Sequence, residues 1–197
     1  MSTSRKEMIL NTATRLFAEK GFGETSTAEV AELAGVAQGT LFYHFKTKEG
    51  ILLAVYETMI DAYVSGLEGA HSQADSGLEG LLSAVRFHFR FNKQRSQELR
   101  VLMRDFPSCI STPGSQNHKR ITTQIERVLA IFRCCLERGI RDGSIRRIPL
   151  DTTAHILRGF LNGMSRQHVI GPLKIPVPEE EVLDFCRKAL AADLNHA

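Results

Sequence analysis

The sequence lacks the features that mark membrane, exported and many enzymatic proteins. It contains no uninterrupted apolar run of about 18 residues and no apolar segment of a secretory signal. We therefore expect a cytoplasmic protein without a membrane partner. It also lacks H-E-x-x-H, C-x-x-C and G-x-S-x-G spacings and a phosphate-binding glycine loop. The sequence accordingly predicts no catalytic residue, no metal site and no cofactor.

Cysteine is scarce, with only Cys109, Cys134, Cys135 and Cys186 in 197 residues. Without an export signal these thiols are expected to be reduced. Cys134 and Cys135 are adjacent, so on a helix they point about 100° apart and cannot share a metal ion as a C-x-x-C pair can. We interpret them as core residues, with thiol sensing as the alternative.

The net charge of +3 does not identify a nucleic-acid-binding region. Residues 1–63 carry six basic and eight acidic residues, whereas residues 64–197 carry nineteen basic and fourteen acidic ones. Any positive potential in the N-terminal part must therefore be local, from individual lysines and helix N-termini. Length and composition are those of a globular chain with a substantial core.

The stretch from Ser26 to Lys48 predicts two short helices joined by a tight turn. Ser26 and Glu29 have the S-x-x-E spacing in which each side chain caps the other's free backbone donor, so the first helix should begin there. Gly35 should end that helix, because the residue after a helix often needs positive φ. Such a pair is a helix-turn-helix, whose second helix enters the DNA major groove. The alternative is a surface turn of a helical bundle.

The two sides of the second helix differ in character. Leu41 and Phe45 are four residues apart and should share the buried side. Gly39 and Tyr43 point almost the opposite way, where a glycine allows close backbone approach to a partner. The outward side chains can contact base edges and phosphates; they are Gln38, Thr40, Tyr43 and His44, followed by Lys46 and Lys48.

Residues 5–63 resemble the N-terminal domain of the TetR/AcrR family of bacterial transcriptional regulators. The resemblance is carried by three runs with fixed spacing. They are Ala13, Leu16, Phe17, Gly21 and Phe22; then Thr25, Ser26, Val30, Ala31, Ala34, Gly35 and Val36; then Gly39, Thr40, Leu41, His44, Phe45, Lys48 and Glu49. Three positions depart from the family pattern, since Ala37 replaces a capping serine, Phe42 a common tyrosine and Thr27 a usual aliphatic residue.

The resemblance implies an all-α fold with an N-terminal three-helix DNA-binding domain and a larger C-terminal helical domain. We assign residues 3–63 to the first domain, with the helix-turn-helix at 26–45, and residues 64–197 to effector binding and dimerisation. It also implies a palindromic operator of double-stranded DNA. The implied DNA-binding residues are Thr25, Ser26, Gln38, Gly39, Thr40, Phe42, Tyr43, His44, Lys46 and Lys48.

Helical periodicity continues on both sides of the motif. Ser4 and Glu7 form a capping box that should start a helix running to Lys20, and Thr47 should cap a helix through Tyr63. The Gly/Ser/Asp-rich stretch at residues 66–77 predicts a linker. Residues 78–105 read as helical, and a long helix is expected from Ile121 to Gly139.

Aromatic and methionine side chains in the C-terminal part suggest an effector cavity, because the family binds effectors there. The alternative interpretation is that these side chains pack in the core of the domain and line no cavity. The candidate effector-pocket residues are Phe87, Phe91, Met103, Phe106 and Met164.

The last two helices are interpreted as a dimerisation pair, with closure of the monomer's own core as the alternative. Asp151 can cap the first, Gly159 and Gly163 would permit close helix approach, and three glutamates open the second. The candidate interface residues of the homodimer are Leu157, Phe160, Leu161, Met164, Val182, Phe185, Cys186 and Ala189.

The favoured function is a dimeric transcriptional repressor that an unknown small-molecule effector releases from its operator. A DNA-binding architectural protein without an effector is a second hypothesis. A helical enzyme is a third, with scattered acid–base candidates at His88, His155, His168, Asp105 and Asp151. None of these five has the spacing of a known catalytic motif.

Overall fold

The computed structural model describes residues 4–110, 115–171 and 178–192, with the side chains of residues 105–110 excepted. Within these ranges the chain is all-α, as predicted, and its only β-type pairing is one isolated bridge between Ile145 and Ala191. The nine helices of the described ranges are α1 (Arg5–Lys20), α2 (Thr27–Leu33), α3 (Gln38–Phe45), α4 (Lys48–Ser72), α5 (Gly77–Gln94), α6 (Ser96–Ile110), α7 (Gln116–Asp142), α8 (Leu150–Ile170) and α9 (Glu179–Leu190).

The chain folds into two compact units. Unit 1 comprises Met1–Asp61 and Arg95–Ile121, and unit 2 comprises Ala62–Gln94 and Thr122–Ala197. The chain therefore passes between the units at three places, two of which lie inside the continuous helices α4 and α7. The assignment of functions to residues 3–63 and 64–197 remains a prediction, and the sequence pattern did not indicate that Arg95–Ile121 would group with the N-terminal helices.

Unit 1 is built around α1. The predicted capping box is present, because the Ser4 hydroxyl accepts from Glu7 N at 3.2 Å and Ser4 N donates to the Glu7 carboxylate at 2.8 Å. The helix ends at Lys20, as predicted, with Gly21 at φ +103°. Helix α1 packs against α6, α2 and α3. The largest fully buried side chains of this unit lie on α1, α3 and α4; they are Ile9, Leu16, Phe17, Leu41, Ile51 and Leu52.

In unit 2 the start of α5 lies close against the last turns of α7, while α5 packs along α8 and α9. A Cβ at Gly77 would overlap the backbone of Gly139, and a Cβ at Gly139 would overlap Ile145. The N-terminus of α5 is capped by the end of α7 and the residues after it, since Gly77 N donates to the Asp142 carboxylate at 2.7 Å and Leu78 N to the Ser144 hydroxyl at 3.1 Å. The largest fully buried side chains here are Leu67, Leu81, Leu82, Leu129, Phe132 and Leu136.

Three predictions about helix ends were wrong. The linker predicted at residues 66–77 begins only after Ser72, because Gly66 lies inside α4, where the Phe87 ring occupies the space of a Cβ. α7 starts earlier and ends later than the Ile121–Gly139 expected. Asp151 does not cap α8; Pro149 is the N-cap residue, and the Asp151 carboxylate accepts from Arg133 Nε at 2.6 Å.

One described helix, α4, is long and apolar enough to cross a bilayer by length and composition, with a mean hydropathy of 1.2. Its most apolar positions are core positions, since Ile51, Leu52, Val64 and Leu67 are fully buried. A core helix of a soluble protein satisfies the same criterion, so α4 is not a membrane span.

Candidate nucleic-acid interface

The first helix of the predicted motif, α2, starts at Ser26, whose hydroxyl accepts from Glu29 N at 3.1 Å. The reciprocal half of the predicted capping box is absent, because the Glu29 carboxylate pairs with Lys20 of α1 instead. α2 ends at Leu33, and Gly35 adopts φ +66°, as the sequence predicted. The turn is closed by Val36 N, which donates to Ala31 O at 3.0 Å.

The second helix, α3, has one buried and one exposed side, as predicted. Leu41 is fully buried and Phe45 is 7% exposed, so both hold α3 in unit 1. Tyr43 is 75% exposed and Phe42 39%. The remaining outward residues Gln38, Gly39 and His44 are exposed, and Thr40 is half-buried. These groups form a continuous outer surface of α3.

The N-terminus of α3 has no side-chain cap, because Ala37 occupies the N-cap position. Thr40 N and Leu41 N donate to Ala37 O at 2.9 and 3.3 Å. The first amide groups of α3 are thus not occupied by a capping hydroxyl. The partial positive charge of a helix N-terminus attracts phosphate, which suits an anionic partner here.

The C-terminus of α3 ends in a tight turn. Lys46 is the only non-glycine residue with positive φ in the described ranges, at φ +62° and ψ −45°, and Thr47 N donates to Phe45 O at 2.7 Å. This i to i+2 hydrogen bond forms a γ-turn of the rare, strained type. The Lys46 ammonium lies 5.8 Å from the centre of the Tyr43 ring. The turn therefore places a cation beside the most exposed side chain of α3.

Two of the predicted DNA-binding side chains, Thr25 and Lys48, form hydrogen bonds within unit 1. Thr25 is buried, and its hydroxyl donates to Gly21 O at 2.8 Å. The Lys48 ammonium donates to Phe22 O and Thr25 O at 2.8 and 3.0 Å. Because both side chains satisfy groups of their own unit, this conformation does not present them to a phosphate. A sequence motif indicates these residue types but not their partners.

The candidate effector-pocket residues divide between the units. Phe87 and Phe91 belong to unit 2, where their rings lie 5.5 Å apart and 5.9 and 5.3 Å from the Tyr63 ring. Met164 is half-buried in the same unit, whereas Met103 belongs to unit 1. The side chain of Phe106 lies outside the described residues. Phe87 and Phe91 thus form an aromatic cluster with Tyr63, a partner that the sequence pattern did not single out.

A buried polar cluster adjoins these rings. His88 Nδ1 lies 2.8 Å from the Tyr63 hydroxyl, and Nε2 lies 2.8 Å from Ser165 Oγ and 3.3 Å from Leu161 O. Asn92 donates to the same serine oxygen at 2.7 Å. Nε2 also lies 2.9 Å from Asn92 Nδ2, which can only donate, whereas the Leu161 carbonyl oxygen can only accept.

Burial determines the titration of this cluster. It lowers the pKa of His88 to about 4, against the opposing effect of the Leu161 carbonyl. Burial also raises the pKa of Tyr63, which the positive charge of Arg158 partly offsets. Both side chains are therefore neutral at pH 7.

The candidate interface residues of α8 and α9 separate into two groups. Leu157, Leu161, Val182 and Cys186 are already buried inside unit 2, so their side chains add little to an interface. Phe185 is 59% exposed and contacts the half-buried Phe160, with ring centres 5.4 Å apart. Ala189 and Met164 are half-buried. Ile156, which the sequence analysis missed, is 62% exposed.

The cysteine prediction holds for two residues and fails for a third. Cys135 and Cys186 are buried, and burial raises the pKa of both thiols, to about 12 for Cys135. Cys134 is exposed, so core packing does not explain it. The side chain of Cys109 lies outside the described residues. Among the residues that the structure describes, no group of three His, Cys, Asp or Glu side chains could hold a metal ion.

Comparison with known proteins supports the interpretation of α2 and α3. The sequence profile described as "Bacterial regulatory proteins, tetR family" matches residues 9–55. The chain is 25% identical over 158 residues to the uncharacterized HTH-type transcriptional regulator YhgD of Bacillus subtilis, covering 80% of each chain.

Two solved structures have the same fold. The TetR family transcriptional regulator PfmR of Thermus thermophilus is 24% identical, with a TM-score of 0.77 and full coverage of both chains. The structure of AibR in complex with isovaleryl coenzyme A and operator DNA is 18% identical, with a TM-score of 0.73 over 95% of this chain and 98% of that one. The all-α architecture observed here is therefore that of known regulators.

Proposed function

Because the chain belongs to the TetR family of bacterial regulatory proteins, we propose that it is a dimeric repressor that reads a palindromic operator and is released by a small molecule. Its relatives are transcriptional regulators, not enzymes. The observation that carries the proposal is the outer surface of α3, where Tyr43 is 75% exposed while Leu41, on the opposite side, is fully buried.

Base reading is assigned to the outward residues of α3. Gln38 can pair bidentately with adenine, and the hydroxyls of Thr40 and Tyr43 and the imidazole of His44 can reach base edges or phosphates. Gly39 has open space where a Cβ would be, so the backbone can approach the groove closely. Lys46 adds a cation at the far end of the same surface.

Dimerisation is assigned to the exposed apolar side of α8 and α9. Ile156, Phe160 and Phe185 supply apolar area there, and nothing lies within 4 Å of a Cβ placed at Gly159 or Gly163. Glycines without neighbours in one subunit permit the close approach of a helix from a second one. Two subunits related by a two-fold axis would place two copies of α3 on the half-sites of a palindrome.

Effector binding is assigned to unit 2, next to Tyr63, Phe87 and Phe91. The aromatic rings favour a molecule with an apolar portion, and His88 is a neutral hydrogen-bonding group beside them. AibR accommodates isovaleryl coenzyme A and operator DNA on the same fold. Short acyl-coenzyme A esters are therefore the first compounds to screen for release of the operator.

The DNA-binding proposal is tested by selecting bound duplexes from random DNA and replacing Thr40 and Tyr43 by alanine. Because each substitution removes an outward group and no core contact, we expect specific affinity to fall by about tenfold or more while the fold persists. Fluorescence anisotropy with the selected duplex measures the loss. Thr152→Ala on α8 is the matched control and should leave affinity unchanged.

Retention of full specific affinity by the Thr40→Ala/Tyr43→Ala variant would refute the assignment of base reading to α3. Tight binding by the wild-type protein without any sequence preference would instead favour an architectural DNA-binding protein.

A further inference from the structure

The segment between α1 and α2 is held by a cation from α4. Residues 21–25 connect the end of α1 to the Ser26 cap of α2. The Lys48 ammonium donates to three carbonyls of this segment, Phe22 O at 2.8 Å, Gly23 O at 3.3 Å and Thr25 O at 3.0 Å, and lies 4.5 Å from the centre of the Phe22 ring. Three carbonyls on one ammonium fix the path of the chain into the helix-turn-helix.

A second cation reaches the same place from α6. The Arg104 guanidinium donates to Phe17 O in the last turn of α1, and its Nη2 atom lies 3.4 Å from the Cβ position of Gly21. Gly21 has φ +103° and its amide donates to the same Phe17 oxygen at 3.0 Å. The end of α1 is thus held by Arg104 while the following residues are held by Lys48.

Lys48 lies on a helix that continues into unit 2, and Arg104 lies on a helix of unit 1 that directly follows a helix of unit 2 along the chain. α4 carries Lys48 at its start and passes from unit 1 to unit 2 after Asp61. α6 carries Arg104 and follows directly on α5 of unit 2, after Gln94. Side chains from α4 and α6, which the chain connects directly to unit 2, therefore contact the end of α1 and the α1–α2 segment just before the DNA-reading elements.

We propose that Arg104 is a positioning residue that couples α6 to the orientation of the helix-turn-helix through the α1–α2 segment. The proposal rests on the proposed function, because it assumes that operator binding and the state of unit 2 are linked. The hydrogen bond from the Arg104 guanidinium to Phe17 O is lost when the distance between its donor and acceptor increases by about 1 Å. A small shift of α6 can therefore switch α1 between two states, one held by this hydrogen bond and one released from it. The held state is the one that favours operator binding.

The test compares Arg104→Met with Arg100→Met in the full-length protein on the duplex selected by the wild type. Both variants remove one cation from α6, and Arg104 is the one that donates to the end of α1. We expect Arg104→Met to bind the operator about tenfold more weakly than Arg100→Met, as expected for loss of a charged hydrogen bond. The affinities are measured by fluorescence anisotropy over a range of salt concentrations.

The salt dependence separates positioning from direct DNA contact. A lost phosphate contact would reduce the slope of log affinity against log salt by about 0.9. We expect the slope of Arg104→Met to equal that of the wild type, because Arg104 acts through α1. A reduced slope would overturn the proposal in favour of a phosphate contact.

A second measurement needs no known effector. Because coupling is reciprocal, an influence of α6 on operator binding implies an influence of operator binding on α6. Operator binding should slow hydrogen exchange of the α6 amides in the wild type and in Arg100→Met, but not in Arg104→Met. Persistence of this protection in Arg104→Met, or equal operator affinity of the two variants, would overturn the coupling.

The outcomes also separate this coupling from the proposed function. If the wild type selects no duplex, both proposals fail; if it does and the two methionine variants behave alike, only the coupling fails. Should Arg104→Met not fold, the pair Arg104→Lys and Arg100→Lys gives the same comparison with charge retained. The fork geometry of arginine is then the only property lost, and weaker operator binding by Arg104→Lys alone supports the coupling.

Discussion

At the scale of single residues, the turn after α3 depends on one glycine. A Cβ at Gly50 would overlap Phe45 O, closer than the 3.0 Å that real Cβ atoms keep from such atoms. The same carbonyl accepts from Thr47 N in the γ-turn around Lys46. Gly50 N in turn donates to the Thr47 hydroxyl at 3.0 Å, which caps α4 as the sequence predicted. A side chain at position 50 therefore requires Phe45 and the turn to shift.

Replacing Gly50 by alanine should destabilise the protein by about 1–3 kcal/mol, because the added methyl group forces Phe45 and the γ-turn to shift. Urea denaturation followed by circular dichroism measures this free energy of unfolding. Gly39→Ala is the matched control, since nothing lies within 4 Å of its Cβ position and alanine favours a helix by about 0.5–1 kcal/mol. Equal stability of the two variants would show that the turn can relax.

Interactions between residues close together in the chain were predictable from the sequence, whereas interactions between residues far apart in the chain were not. Ser4 and Gly35 act on neighbours within a few residues, so the sequence pattern was sufficient to predict the cap and the positive φ. Lys48 and Arg104 act on carbonyls 23 to 87 residues away in the chain. Their partners depend on how α4 and α6 pack on α1, which no spacing rule encodes.

At the scale of helices, a buried histidine connects three elements of unit 2. Tyr63 of α4 and Ser165 of α8 both contact the ring of His88 on α5. Leu161 O also lies against this ring, and the charge of Arg158 acts on Tyr63. Because burial lowers the pKa of His88 to about 4, the native state favours the neutral form of its ring.

The free energy of unfolding should therefore fall as pH decreases from about 6.5 to about 4. In this range the unfolded chain binds a proton at His88 that the native state does not, so stability is lost on acidification, by about 3 kcal/mol in full. We expect His88→Gln to have a shallower pH dependence than the wild type in urea denaturation at each pH. His155→Gln, at an exposed position of α8, should retain the wild-type slope. A wild-type slope in His88→Gln would contradict the prediction.

The helices themselves were more predictable than their ends. Residues 87–91 (FHFRF) alternate between apolar and polar side chains as a strand does, but the longer helical periodicity around them correctly predicted a helix. Glycine was a poor guide to breaks, because Gly66 and Gly139 lie inside helices where neighbouring groups occupy the space of a side chain. From sequence alone, a glycine that permits close packing cannot be distinguished from one that ends a helix.

At the scale of the whole molecule, the proposed dimer should depend on the exposed apolar residues of α8 and α9. Introducing charge with the double substitution Ile156→Asp/Phe185→Asp should separate the subunits, because a desolvated carboxylate is costly in an apolar interface. Sedimentation velocity should then show a species of 22.0 kDa in place of a dimer.

Leu33→Asp is the matched control for this double substitution. Leu33 is 53% exposed on α2 of unit 1, so it receives the same kind of change away from α8 and α9. An unchanged dimer in the double variant would show that this surface is not the interface. A monomeric wild-type protein would contradict the proposed assembly altogether.

The candidate interface residues show that helical periodicity does not predict which apolar side chains are available to a second subunit. An apolar stripe does not state which of its members face the protein's own core. Leu157 and Leu161 face inward, whereas Ile156 and Phe185 face outward. The fold class and the outer surface of α3 followed from the sequence, but this division required the packing of unit 2.

The two units alternate along the chain, which restricts how segments of this protein can be exchanged with those of other regulators. A protein engineer who wishes to give this chain a new target would take the first sixty or so residues as a cassette, yet compact unit 1 also contains Arg95–Ile121. A graft ending at Asp61 would leave α1 facing a foreign α6 without Arg104. If the proposed function holds, we therefore expect that a hybrid in which both stretches of unit 1 are exchanged together retains its operator, whereas a hybrid of the first stretch alone binds it more weakly.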